Sequence, residues 1–295
     1  MSELFPKKWH NSLQLGLKYN GFALKKLNPA DIPSDEPQVK RDFNNEVKQL
    51  KRFGGHSELH LVFLLASFEL KNELHFLFPH AECDLSMVWN QKQPNPPRQA
   101  ESYMVWFQNQ ILGIIQAVQT IHREYVDYDN SASDTSGGQA PERRWGRHGD
   151  IRPPNVLWFQ STTERFGTLV LSDMGLSTFN RIVSRSNQSK KPIHEIPVYH
   201  PPEAMVKGGK INRKFDVWSL GCLLLEMIAW VLGNNEYRVM LENKRKATSH
   251  RGGVEAWFYE IGEVVTKESS GYGQQIYVMV KEEVIEVRSW SMPSR

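Results

Sequence analysis

The stretch His148-Gly149-Asp150-Ile151-Arg152-Pro153-Pro154-Asn155-Val156-Leu157 decides how the rest of the chain is read. It holds a carboxylate, a cation two residues on and an amide three further. An apolar run, Val156-Leu157-Trp158-Phe159, follows at once. A second run, Leu169-Val170-Leu171, ends on Ser172-Asp173-Met174-Gly175. Two short strands, each with a polar cluster at one end, predict a hairpin that presents Asp150, Asn155 and Asp173 to one space. Oxygen ligands gathered in that way suit Mg2+ held against phosphates.

Composition bounds what surrounds this hairpin. The 295 residues are 40% hydrophobic and 23% charged, with a net charge of +3. These values fit an ordinary globular protein of one large or two small domains and single out no polyanionic partner. The 2 cysteines, Cys83 and Cys222, lie far apart, with neither metal spacing nor a disulfide framework. A reducing, intracellular compartment, cytoplasmic or nuclear, is the expected setting. The first residues, Met1-Ser2-Glu3-Leu4-Phe5-Pro6-Lys7-Lys8, lack the apolar core of a signal peptide. The longest apolar stretch, around Leu220 to Leu232, carries Glu226 and reads as a buried helix rather than a membrane span.

Upstream of the hairpin, Phe22-Ala23-Leu24-Lys25-Lys26-Leu27 predicts a short strand. Alternation puts Ala23 and Lys25 on one face and Leu24 on the other. The Pro-rich and acidic residues from Asn28 to Pro37 predict a loop. A helix is expected from Phe43, with Phe43, Val47 and Leu50 on one face and Glu46 at its edge. Leu61 to Phe68 and Leu74 to Phe78 read as strands joined by a turn. A long helix over 101–125 follows, with Met104, Val105, Ile111, Leu112, Ile115, Val118 and Ile121 as its apolar positions. The Ser/Gly/Asp-rich tract at 129–138 is too polar to pack and predicts an insertion. Downstream of the hairpin, 176–200 reads as an exposed loop and 216–232 as a buried helix. The tail shows no period before Gln275 to Val287. Strands with one helix thus precede a mostly helical part, which predicts two segregated lobes of α+β character that divide near Pro79-His80-Ala81.

The hairpin cluster has the groups that phosphoryl transfer needs. Asp150 would orient the attacking hydroxyl and take its proton. Arg152 points a cation to the same place, where it can neutralise the transferring group. Asn155 and Asp173 would hold the metal ions that bridge the phosphates. Pro201-Pro202-Glu203 and Asp216-Val217-Trp218-Ser219-Leu220-Gly221-Cys222 follow in order. With these motifs the chain, from Ala23 to about Gly233, resembles a eukaryotic protein kinase domain, most of all the Ser/Thr kinase-like proteins of filamentous fungi.

The resemblance implies a small, β-rich N-lobe with one helix over about 1–79 and a larger, mainly helical C-lobe over about 80–295. It makes Asp150 the catalytic base and Lys25, in Ala23-x-Lys25, the lysine that binds the α/β-phosphates, fixed by Glu46. Asn155 and Asp173 become the metal ligands, with ATP and Mg2+ as cofactors. Ala81 would bind the adenine through its backbone, Phe78 would guard the back pocket, and Ala23 and Leu157 would sandwich the ring. Leu50, Leu64, His148 and Met174 would stack as a spine, and Asp216 would brace the catalytic loop. Arg152 implies Ser/Thr acceptors. The expected partner is a protein substrate, with neither nucleic acid nor membrane, and the expected state is a monomer.

Departures from the family pattern are equally specific. Upstream of Lys25 only Gly16 and Gly21 occur, so no Gly-x-Gly-x-x-Gly can be written and a phosphate cradle of backbone N–H groups is missing. Gly149 stands where the family carries Arg, which predicts little dependence on phosphorylation at Ser184, Ser186 or Ser189. Met174 replaces Phe, and Val198 stands where a Thr would contact the catalytic Asp. Glu203 finds no clear Arg partner, Arg288 being the one candidate. These gaps read as truncation at both ends. They leave two alternatives open: a pseudokinase scaffold, and a small-molecule phosphotransferase whose loop also reads His-Gly-Asp-x-x-x-x-Asn.

Overall fold

Strand β2, Phe22–Leu27, forms where the sequence predicts it, and its alternation is that of a half-covered strand. Ala23, Lys25 and Leu27 face inward, while Phe22 and Leu24 are about half exposed. The computed structural model describes residues 16–27, 36–53, 58–90, 101–127, 142–173, 198–204, 212–247, 257–268 and 271–282. Contacts divide the chain into two compact units, Met1–Ser189 and Lys190–Arg295. The composition break at Pro79-His80-Ala81 therefore lies inside the first unit. Met174, the serines at 184, 186 and 189, the tract at 129–138 and Arg288 lie outside the described residues.

In the first unit β2 pairs antiparallel with β4, Glu73–Pro79, which pairs with β3, Ala66–Leu70. The strand expected from Leu61 begins only at Ala66. The turn between β3 and β4 is two residues, Lys71 and Asn72, both at positive φ (52° and 63°). That backbone matches the twist of a tight hairpin, and Asn tolerates it. Helix α1, Glu36–Phe53, packs on the inner face through Phe43 against Phe76, with ring centroids 4.5 Å apart. It starts a full two turns before the predicted Phe43. Pro37, read as a loop residue, sits in the first turn, where its missing N–H costs nothing. Val39, Phe43, Val47 and Leu50 form its buried stripe.

The predicted hairpin is present as β8, Val156–Ser161, and β9, Thr168–Leu171, paired from Val156↔Leu171 to Phe159↔Thr168. Two further strands flank it. β1, Leu17–Lys18, and β5, Cys83–Asp84, both pair with β8. Leu17 and Lys18 thus join the hairpin rather than the sheet of β2. Asp84 then caps the short helix α2, Leu85–Asn90, its Oδ1 accepting the Met87 N–H at 2.9 Å.

Helix α3, Glu101–Ile121, covers the hairpin. Its buried face differs from the one predicted. Tyr103, Trp106, Phe107, Gln110, Ile114 and Ala117 line it along with Val118 and Ile121, whereas Met104, Val105, Leu112 and Ile115 are exposed. Two hydrogen bonds select this face. Trp106 Nε1 donates to Gly167 O at 2.7 Å, and Leu169 N donates to Gln110 Oε1 at 2.8 Å. The His60 ring packs on Gly113 of the same helix and its Nδ1 bonds Leu169 O at 2.6 Å. After α3 a hairpin missed in the sequence, β6 (Glu124–Asp127) with β7 (Glu142–Trp145), brackets the polar tract.

The second unit is built on helix α4, Lys214–Ala247, twice the predicted length. Asn212 Oδ1 accepts the Lys214 N–H at its start. Lys244, Arg245 and Lys246 complement the dipole at its end. Gly233 does not break it. Tyr237 lies so close that a Cβ there would come within 2.0 Å of its ring. The part Lys214–Gly233 is long and apolar enough to cross a membrane, but over half of it is buried in the fold (56%). Glu226, inside that part, forms a buried ion pair with Arg245 at 2.8 Å. The Arg245 guanidinium also lies 4.0 Å from the centroid of the Phe258 ring. The tail is a hairpin, β10 (Tyr259–Glu268) with β11 (Gly271–Val280).

Two outcomes test these packing arrangements. Gly113→Ala should lower stability by roughly 1–3 kcal/mol, since its methyl would sit 2.0 Å from the His60 ring. Arg245→Ala should cost about 3 kcal/mol or more by stranding Glu226, measured as a lower urea midpoint.

Candidate active site

Asp150, Arg152 and Asn155 lie in and beside a short 3-10 turn, Pro153–Asn155, that the two prolines favour by presetting φ. The turn closes with Asn155 N donating to Arg152 O at 2.9 Å. Gly149, at φ 83°, supplies the left-handed backbone that leads into Asp150. Asn155 is buried, and its side chain folds back on Asp150. Nδ2 donates to Asp150 O at 2.7 Å and to Asp150 Oδ2 at 2.8 Å. Both partners are acceptors, so the amide can sit only one way round. Its Oδ1 is therefore the atom left to face a cation, and it takes no hydrogen bond among the described residues.

Arg152 Nε also donates to Asp150 Oδ2, at 3.1 Å. One carboxylate oxygen of Asp150 thus carries two bonds, and Oδ1 remains for an incoming donor. Asp150 N donates to His148 Nδ1 at 3.2 Å, while His148 Nε2 bonds Ser172 O at 2.8 Å. A carbonyl can only accept, so the ring carries its proton on Nε2. His148 is fully buried and holds the loop to the end of β9.

Asp173 follows β9 at φ 61°, and its Oδ1 meets Lys25 Nζ at 3.1 Å. The bond joins residues 148 apart in sequence. Lys25 was expected to pair with Glu46 and does not. Glu46 is 5% exposed, and its Oε2 is buried without a hydrogen-bond partner. Burial pushes its pKa up to about 7; the nearby Lys25 charge opposes that rise and the Asp173 charge adds to it. Lys25 is thus within electrostatic reach of two carboxylates and bonded to one.

The other expected site residues, Ala23, Leu157 and Ala81, lie in three different segments of the first unit. Ala23 is on the inner face of β2 with Lys25, paired across to Phe78. Leu157 lies in β8 opposite Val170 and Asp84. Around Ala81, His80 N donates to Gly21 O and Glu82 N to Trp158 O, both at 3.1 Å. Ala81 between them makes no such bond among the described residues, which leaves its backbone groups for a ligand. Among the described residues no group of three or more His, Cys, Asp or Glu could hold a metal. The oxygen set of Asn155 and Asp173 nevertheless fits Mg2+, which takes one or two protein ligands and completes its shell with phosphate and water. The unpartnered Glu46 oxygen fits an ammonium drawn inward from Asp173.

Two positioning residues escaped the sequence reading. Ser172, buried, donates from N (2.8 Å) and from Oγ (3.1 Å) to Asn155 O. His60 belongs to a segment that pairs parallel with β9, with Leu171 N on His60 O at 2.8 Å and Val62 N on Leu171 O at 2.9 Å. Ser172 stands beside Asp173 in the sequence, and that adjacency is the one signal that could have found it. Glu203, expected to need a buried Arg, is only half-buried and has no ion-pair partner among the described residues.

The raised pKa of Glu46 fixes a sign. The folded state holds this proton to about pH 7, while the unfolded chain releases it near 4.5. Stability from this group is greatest below 4.5 and falls as pH rises through that window. At 1.36 kcal/mol per unit the loss reaches about 3 kcal/mol above pH 7. Glu46→Gln should remove it: nearly equal melting temperatures for the two proteins at pH 4, and a higher one for the variant at pH 8.

Comparison with known proteins agrees with the fold. Residues 146–254 match the family model described as protein kinase domain. The "Probable serine/threonine-protein kinase mps1" of Dictyostelium discoideum is 26% identical over 221 residues, covering 70% of this chain and 18% of that protein. "Serine/threonine-protein kinase MPS1" of Encephalitozoon cuniculi is 26% identical over 210 residues, 71% of this chain and 29% of that protein. "Serine/threonine-protein kinase mph1" of Schizosaccharomyces pombe is 23% identical over 218 residues, 70% and 27%. The matched part is thus less than a third of each of these relatives. The hairpin, the α+β architecture and these matches agree, and over residues 146–254 the chain is similar to the protein kinase domain family.

Proposed function

We propose that the chain transfers the γ-phosphoryl group of ATP to Ser or Thr hydroxyls of protein substrates, with residues up to about 79 as the N-lobe and from about 80 as the C-lobe. The observation that carries this reading is the Asp150 carboxylate, held by Arg152 Nε and Asn155 Nδ2 through one oxygen and open at the other. Asp150 Oδ1 accepts the hydroxyl proton and aims the oxygen at phosphorus; as the new P–O bond forms, the bond to the bridging oxygen breaks and ADP leaves. Arg152, whose side chain is 41% exposed, keeps guanidinium N–H groups for the charge on the transferring group.

Lys25 exchanges its bond to Asp173 for the α/β-phosphates, and Glu46 steadies it there. That exchange frees the Asp173 carboxylate, which with Asn155 Oδ1 would hold Mg2+. When bound, the ion neutralises phosphate charge and orients the nucleotide. Ala81 offers backbone groups to the adenine edge, and Ala23 and Leu157 close on its faces. The described residues before Lys25 supply no glycine cradle, so affinity for the phosphates falls on Lys25, Asp173 and Asn155.

Thermal shift with Mg·ATP tests the reading. The wild type should be stabilised, and Lys25→Met and Asp173→Asn should lose most of the shift. Asp150→Asn should keep binding yet lower transfer to a generic protein acceptor by about 10²-fold or more. No shift in the wild type would overturn the reading. Binding without transfer would assign a scaffold role, and transfer only to small hydroxyl compounds a small-molecule phosphotransferase.

A further inference from the structure

We propose that Ser172 is a positioning residue for the metal–nucleotide site: its hydroxyl fixes Asn155, and through it the spacing between the two metal-binding oxygens, a role that rests on the phosphoryl-transfer reading. Ser172 is 7% exposed and lies between the last residue of β9 and Asp173. Three of its polar groups converge on the catalytic loop. Its N–H (2.8 Å) and its Oγ–H (3.1 Å) both reach Asn155 O, and its own carbonyl accepts from His148 Nε2 at 2.8 Å.

The main-chain bond alone would continue the β8–β9 ladder by one pair beyond Val156↔Leu171. The hydroxyl adds a second donor to the same carbonyl and fills both of its lone pairs. Asn155 is then held at every polar atom but one. Its N–H is on Arg152 O, its Nδ2 on Asp150 and its C=O on Ser172, leaving Oδ1 alone. Ser172 is joined directly to Asp173, so the same residue that grips Asn155 also places the second metal ligand. A side chain that aligns ligands in this way acts on metal affinity rather than on nucleotide affinity as such.

Ser172→Ala removes the hydroxyl and keeps both main-chain bonds, so the fold and the Asn155 carbonyl remain satisfied. The experiment is a titration of Mg2+ at fixed ATP, read by thermal shift, beside a second series of ATP with EDTA. Ser172→Ala should raise the Mg2+ concentration at half-shift about tenfold. It should leave the metal-free ATP shift unchanged. Ser172→Thr, which keeps the hydroxyl, should restore the midpoint to within about twofold of wild type. An unchanged midpoint in Ser172→Ala, or an equal weakening with and without Mg2+, overturns the inference while leaving the proposed reaction standing. Absence of any Mg2+-dependent shift in the wild type overturns both. Should Ser172→Ala not fold, Ser172→Cys, of similar size and a poor donor, takes its place under the same two outcomes.

Discussion

A single buried amide, that of Asn155, holds the candidate active site in one arrangement. Buried N–H groups must find acceptors, and the two on Nδ2 find both of theirs on Asp150. The Asp150 carboxylate, the neighbouring Arg152 cation and the Asn155 amide are therefore positioned as one body. That body is fastened through His148 and Asn155 to Ser172, the residue that follows β9. β9 is in turn clamped between the His60 segment and the Trp106–Gln110 face of α3. Each layer satisfies polar groups of the layer inside it, so a shift in any one would leave a buried donor or acceptor without a partner.

Charge is handled differently in the two units. In the first, Glu46 is buried with one oxygen unmet, and Lys25 bonds Asp173 instead. The site holds an unfavourable desolvation that a cation could relieve, as strained functional sites commonly do. In the second, Glu226 is fully matched by Arg245 and Tyr199, while Lys281 Nζ takes the Arg245 carbonyl at 2.6 Å. That network ties the tail hairpin to the last turn of α4. Burial raises the Tyr199 hydroxyl pKa, and the Glu226 charge adds to the rise, so this group stays a donor.

Much of the local structure was legible. The strand carrying Lys25 and the hairpin carrying Asp150, Asn155 and Asp173 follow from alternation and from clusters a few residues long. The buried face of α3 was misread because its aromatic and polar members, Trp106 and Gln110, were left out of the apolar pattern. Their place depends on hydrogen bonds to a hairpin some sixty residues away. Likewise the length of α4 depends on Tyr237 covering Gly233 and on Arg245 finding Glu226, which no propensity expresses.

The sequence by itself determined which chemical groups are present and in what order: a carboxylate, a cation, an amide and a second carboxylate at the ends of two strands. Short-range spacing and backbone preference suffice for that. Only the tertiary structure decided how those groups pair. Lys25 stands near two carboxylates, and which one it bonds depends on how far α1 has desolvated Glu46 and on where the backbone of Asp173 turns. Those are balances of burial and distance between segments far apart in the chain, and they exist only once the segments have packed.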